Sequence, residues 1–461
     1  MLLVGEVTGY GSRHAVFVEG GRVRVVGPAD DLLARYPREK RVVVERVTPG
    51  IADAHAHPLY LGAEARRLGL HGLSDPRAVA ERVAAYREEG WVLGGGFLFA
   101  ERPSRALLDA AARGRPVYLK SRDLHAAWAS EAALKAAGLS PSDPHVDWEA
   151  GWVLEGSMAR LEAAAPRPGP EDLYRGLALF AKKGYTAVHA LAYEPAEALS
   201  WAEARAEELP VRLWWALPRG SWGGVRPGWR GSKLFVGGVK FFADGALGAR
   251  TAWMHAPYTG GGTGMPVDPL PEIEEEGRRA LAAGFTLAVH AIGTRAVAGV
   301  LTLFKRLPRP RGGALRIEHL QHLRDADLAL LAQPGVVASM QPIHLKEDAA
   351  LVRRLLPGRE GEAFRFRSIS RRLPLAFGSD APVAPVDLFG SLLEATNHRL
   401  NPAEALEFDE SLFAHTAGAA LAAGWRDYGR IFPGAVADLG LFEGRRLVAR
   451  VFAGELQDVE A

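Results

Sequence analysis

His55 and His57 stand two residues apart in the run Asp53-Ala54-His55-Ala56-His57-Pro58, directly after an apolar stretch that reads as a strand. Side chains two apart on a strand share a face, so two imidazoles at this spacing can aim at one point, which is a metal-ligand geometry. Three more apolar runs end in a residue suited to the same centre: residues 287–290 end in His290, 316–319 in His319 and 377–380 in Asp380. Taken singly, each has an ordinary explanation, a core hydrogen bond for histidine or a helix cap for aspartate. Together they point to one site, because buried ionisable groups are costly unless paired or metal-bound. Lys240 lies in a further apolar run, where its ammonium needs either an escape to solvent at the strand end or a partner such as Asp244. The chain has 0 Cys, so thiolate nucleophiles, iron–sulfur clusters and Cys-based zinc sites are excluded, and any metal is held by nitrogen and oxygen.

The elements that must position these residues form a regular series. Strand-like runs at 48–54, 185–190, 211–217, 238–243, 286–290, 315–319, 336–340 and 375–379 alternate with longer helical stretches. That is the pattern of a parallel sheet covered by helices, an α/β fold. Eight such strands predict a (β/α)8 TIM-like barrel made of residues 49–58 and 169–430, with its catalytic groups at the carboxyl ends of the strands. Residues 1–48 and 431–461 share a texture of short strands and tight turns, and are expected to form one small β-sandwich-like domain from both termini. Residues 59–168 form an insertion after the first barrel strand, with helical periodicity at 76–89 and 103–112 and a strand at 116–121.

Composition narrows the partners. With 461 residues, 48% hydrophobic, the chain has material for two or three folding units. A formal charge of +2 is too balanced for a nucleic-acid footprint. No run of about 18 apolar residues and no leader pattern appear, so a cytoplasmic protein without a membrane partner is expected. The 2 Asn and 4 Gln suit either a heat-adapted or a GC-rich source. Trp214, Trp215, Trp222, Trp229 and Trp253 either line an aromatic-accepting pocket or pack helices on the barrel, and His322 reads as a surface residue.

The order of HxH on strand one, His on strands five and six and Asp on strand eight resembles the amidohydrolase superfamily of metal-dependent hydrolases. The likeness runs from about Gly20 to Gly444 and is carried by residues 49–58 (PGIADAHAHP), 116–125, 130–139, 239–248 and 379–382. These motifs are similar to one branch in particular, which includes N-substituted formamide deformylases. The resemblance implies a ligand set of His55, His57, Lys240, His290, His319 and Asp380 for one or two divalent ions, zinc foremost, with Lys240 carboxylated by carbon dioxide as the bridge. It implies Asp380 as the general base and acid for a metal-activated hydroxide, with His319 as the second catalytic group, acting on a small molecule. Activity is then expected to fall in mild acid, since the imidazoles must be neutral to bind. Asp123 and His125 match the branch's Asp-x-His segment, with Leu124 where glycine is expected and Lys120 where arginine is common. These two and Asp244 are implied substrate-binding residues, against the plainer readings of a packed insertion and a loop cap. Homo-oligomers are common among such barrels.

Three functions compete. The first is hydrolysis of a non-peptide C–N bond in a small amide or N-substituted formamide. The second is hydrolytic deamination of an amino-substituted heterocycle, which separates from the first at Lys240: two metals and a carboxylated lysine favour the amide, one metal and a free lysine the deaminase. The third, a barrel kept only as a binding or regulatory protein, is opposed by the presence of all six ligand candidates.

Overall fold

The computed structural model describes residues 1–122, 125–154, 156–191 and 196–460. They divide into two compact units, one of Met1–Leu61 with Pro170–Ala461 and one of Gly62–Gly169. Eight parallel strands form the core of the first unit: β1 Ile51–Ala56, β2 Tyr185–Leu191, β3 Arg212–Pro218, β4 Leu234–Phe242, β5 Thr286–Ala291, β6 Leu315–His319, β7 Val336–Met340 and β8 Leu375–Phe377. They are hydrogen-bonded in sequence order from β1 to β8. Between β8 and β1 the ring is joined by two backbone bonds, Asp380 N to His55 O at 2.6 Å and His57 N to Ala381 O at 2.8 Å. Helices follow the strands on the outside, completing a (β/α)8 barrel. The helix Thr294–Arg306 shows why they pack there: Val297, Val300, Leu301 and Phe304 recur at helical spacing and are all buried.

Two apolar layers result from the strand alternation. Leu213, Val236, Val239, Leu287, Val289, Leu315, Ile317 and Phe377 belong to the large cluster shared with the helices. Ala52, Ala54, Ala187, Ala216, Ala288 and Ala376 belong instead to an interior cluster around Trp214. Small residues inside leave room for larger ones from neighbouring strands. Gly237 and Gly238 show the same logic: a Cβ on either would come within 2.5 Å or less of the Trp214 ring. They therefore lie inside a strand that begins at Leu234, earlier than the expected start at residue 238. The expected first strand also divides, since Arg41–Pro49 joins the terminal sheet and β1 begins at Ile51.

Both termini build one seven-stranded sheet, in the order Glu455–Asp458, Arg446–Phe452, Leu439–Glu443, Arg41–Pro49, Leu2–Val7, Gly11–Glu19 and Arg22–Pro28. Leu439–Glu443 runs antiparallel to Arg41–Pro49, so the chain's two ends are paired directly. Arg212 on β3 donates to Asp438, just before Leu439–Glu443, from Nε at 2.5 Å and Nη2 at 3.3 Å. Asp438 also accepts from Ala453 N at 2.9 Å.

The second unit has its own six-stranded sheet, in the order Val146–Asp147, Trp152–Leu154, Ala126–Ala129, Val117–Ser121, Val92–Phe97 and Leu68–Gly69. Val79 and Val83 of the helix Pro76–Ala85 and Leu108 of Arg105–Ala112 pack with Phe97 and Trp128 in its core. Among the described residues, no helix is long and apolar enough to cross a membrane.

Removing one partner of a buried ion pair strands the other charge. Asp438→Ala is expected to destabilise the protein by about 3–5 kcal/mol. Arg22→Ala, which breaks the exposed Arg22–Asp427 pair, should cost no more than about 1 kcal/mol. Thermal and urea unfolding midpoints of the two variants, measured side by side, check the contrast.

Candidate metal centre

The strands bring His55, His57, Lys240, His290, His319 and Asp380 to one end of the barrel, but not all by simple alternation. In β1 the pairing with β2 slips: Val188 faces Asp53, while Ala190 faces Ala56. That extra residue is a bulge, a device that re-aims a side chain. It lies at His55, between the inward Ala54 and the outward Ala56. On β6, Leu315 and Ile317 face outward, so alternation turns Arg316 and Glu318 inward and would turn His319 away. His319 escapes this through a left-handed backbone, φ 69°, followed by Leu320 at φ 42°. Asp380 after β8 is also left-handed, at φ 62°. Such backbone costs energy outside glycine and persists where surrounding contacts over-determine it. At Asp380 those contacts include the bond to His55 O and the seat given to Ser379 N by both Asp53 carboxylate oxygens, at 3.0 and 3.1 Å.

The geometry is that of a cluster of donor atoms. Asp380 Oδ1 lies 3.0 Å from His57 Nε2 and 3.5 Å from His55 Nε2. The His55 and His319 rings are 4.8 Å apart, and His319 and His290 4.4 Å. Among the described residues, two sets place one donor atom each within 4.8 Å of one another: His55, His57 and Asp380, and His319, His344 and Asp380. His55 Nδ1 is 2.7 Å from Glu318 Oε2. A carboxylate can only accept there, so Nδ1 carries the hydrogen and Nε2 turns a lone pair toward Asp380 Oδ1. Two acceptors facing each other at this distance suit a cation between them. Among the described residues, His319 Nδ1 and His344 Nε2 are buried without a hydrogen-bond partner, which fits the same requirement.

His344 was not anticipated from sequence. It sits in the short turn Pro342–His344 beyond β7, whose own last residue, Met340, has no nitrogen or oxygen donor in its side chain. The histidine is 3.9 Å from Asp380 Oδ2. Lys240 is buried, its Nζ 5.0 Å from the centre of the Phe242 ring, and it makes no hydrogen bond or ion pair among the described residues. Asp244 is not its partner. Its oxygens accept from Trp253 N at 2.7 Å, Gly293 N at 2.8 Å and Ile292 N at 3.0 Å, tying the loops after β4 and β5, and Oδ1 is 3.6 Å from His290 Nε2. Asp123 lies outside the described residues. His125 is exposed beside the strand Ala126–Ala129 of the second unit, and Lys120 in that unit pairs with Glu162 at 2.5 Å. His322, read as a surface residue, is buried with Nδ1 3.1 Å from Ile292 O. Trp214 and Trp215 are both packing residues, one in the interior cluster and one under the helices.

Burial dominates the electrostatics. It lowers His55 to about 4 and His290 to about 3, with Lys240 adding to both shifts, and takes His319 well below its ordinary value. Lys240 is lowered to about 8 by the same burial. Burial raises Asp244 to about 7 against three amide donors, and Asp53 to about 7. Burial would also raise Asp380, but His55 beside it and the hydrogen bond from His57 hold it well below the carboxylate range.

Residues 45–456 match the model of the amidohydrolase family, and residues 15–38 that of the bacterial imidazolonepropionase-like composite domain. Protein LONG AFTER FAR-RED 3 of Arabidopsis thaliana is 29% identical over 459 residues, covering 85% of this chain and 77% of that protein. A solved structure of an uncharacterized metal-dependent hydrolase from Pyrococcus furiosus superposes with a TM-score of 0.83 at 25% identity, covering 100% of this chain and 99% of the other. Atrazine chlorohydrolase TrzN from Arthrobacter aurescens TC1, solved with zinc, shares the fold at a TM-score of 0.53 and 15% identity, over 100% of this chain and 96% of that one.

The lowered imidazoles move the acid limit below the mild acid expected from free histidine. Unfolded histidines titrate near 6.5, and His55 and His290 near 4 and 3 in the fold, so the unfolded chain binds more protons across that window. The metal-free protein should therefore lose stability as pH falls from 6.5, with these groups contributing fully above it. A bound divalent ion should be retained down to about pH 4. Metal content after dialysis across a pH series checks this, and release already beginning at 6.5 would contradict it.

Proposed function

Because the chain belongs to the amidohydrolase family, we propose that it is a metal-dependent hydrolase of a non-peptide C–N bond, in a small amide of the N-substituted formamide type. The observation that carries this reading is the meeting of His55, His57, His290, His319 and Asp380 at one barrel end, with the buried amine of Lys240 beside them, which has no hydrogen bond or ion pair among the described residues. A divalent ion, zinc foremost, held by His55, His57, His290, His319, Asp380 and Lys240 would polarise the substrate carbonyl and activate water.

The chain's own groups then divide the proton work. Asp380, held ionised, takes one proton from the attacking water as its oxygen bonds to the carbonyl carbon. It returns that proton to the nitrogen as the C–N bond breaks, so an N-substituted formamide and water yield formic acid and an amine, the acid then ionising to formate. His319, between His290 and His344, is assigned both to ligation and to steadying the charge that grows on the carbonyl oxygen. Lys240 reacts as the neutral amine, which burial makes available near pH 8: nitrogen bonds to carbon dioxide, a proton leaves, and the resulting carbamate supplies two oxygens in place of the ammonium.

Two measurements test the reading. Asp380→Asn should lower kcat about 10²–10⁴-fold in a formate-release assay over a panel of N-substituted formamides. Metal analysis should find two ions per chain, the second dependent on bicarbonate and lost in Lys240→Ala. One ion with unmodified Lys240, together with ammonia release from aminoheterocycles, would replace the amide reading with hydrolytic deamination.

A further inference from the structure

Beneath the ligand layer lies a buried charged pair that the proposed hydrolysis does not use. Arg316 and Glu318, both on β6, are each 0% exposed. Arg316 Nε donates to Glu318 Oε1 at 2.8 Å, Nη2 donates to Ala54 O on β1 at 2.5 Å, and Nη1 donates to His189 Nδ1 on β2 at 3.0 Å. Its guanidinium carbon sits 4.5 Å above the Trp214 ring. The other Glu318 oxygen, Oε2, accepts from His55 Nδ1 at 2.7 Å, with Arg316 Nη2 only at 3.5 Å from it and 3.4 Å from Ser339 Oγ. A buried ion pair is seldom better for stability than apolar packing of the same volume. The network therefore calls for another explanation, and it reaches a candidate ligand by hydrogen bond at His55.

We infer that Glu318, clamped by Arg316, sets the ring tautomer of His55 and so presents the Nε2 lone pair to the metal centre. This rests on the metal reading above and adds two positioning residues to it. Neither group touches the reacting atoms. Arg316 supplies only donors, so whatever stands at 318 must turn an oxygen toward it. A carboxylate has a second oxygen left for His55. A glutamine would have only its NH₂ left, forcing His55 Nδ1 to accept and moving the hydrogen to Nε2, where it blocks ligation. Carboxylate–histidine–metal arrangements of this kind are worth about 10–100-fold in metal affinity.

The test is zinc affinity of the full-length protein, by competition with a chromophoric chelator. Glu318→Gln should fold and bind zinc about 10–100-fold more weakly than the parent. Adding Arg316→Met removes the donors that hold the amide, lets the glutamine oxygen turn to His55, and should restore much of that affinity. A purely structural role predicts the opposite, a double variant weaker than the single one. Should Glu318→Gln not fold, the comparison moves to variants without a stranded arginine: Arg316→Met/Glu318→Gln should bind zinc at least about 10-fold more tightly than Arg316→Met/Glu318→Leu. Parent-like affinity in Glu318→Gln, or equal affinity in the two double variants, overturns the inference alone. A parent protein that binds no zinc overturns the metal reading itself.

Discussion

The bonds from Asp380 N to His55 O and from His57 N to Ala381 O join the first barrel strand to the segment after the eighth. They close the ring of strands, and three of the four residues that make them, His55, His57 and Asp380, are candidate ligands. Closure and site assembly are thus one event. The surroundings are built for it. A Cβ on Gly378 would stand 2.3 Å from His55 N, so only glycine lets the two segments approach. Asp53, buried between them, spends its oxygens on the His55 and Ser379 amides, which explains an acidic residue at that depth.

Around this seam, regular strand geometry is broken at three of the candidate ligands. Period-two alternation would give the centre Glu318 and not His319, and Ala54 and not His55. A bulge in β1 and left-handed backbone at His319 and Asp380 redirect the three side chains inward. Regular alternation still has a use one layer down, where Arg316 and Glu318 reach the interior among alanines. The barrel thus holds a regular charged layer beneath an irregular ligand layer, joined through the His55 ring.

The eight strands were legible because apolar runs bounded by helical stretches report a parallel sheet directly. Where the reading slipped, a side chain from elsewhere was the cause. The start of β4 hid behind Gly237 and Gly238, whose meaning depends on Trp214 from β3. His344 stood outside every strand-end signal, since a turn carries it. Glu318 was overlooked because His319 next to it matched the expected ligand, although alternation alone pointed to Glu318. Burial of His322 and the three amides on Asp244 depend on loops that meet only in three dimensions.

The seam between β1 and β8 has a consequence in time. Asp53 and Ser379 are 326 residues apart, and contacts of such separation are among the last a chain can make. A nascent chain can fold its helices and central strands while His55 still waits for Asp380. The meeting of His55 with Asp380 therefore has to wait until the segment after the eighth strand has been made.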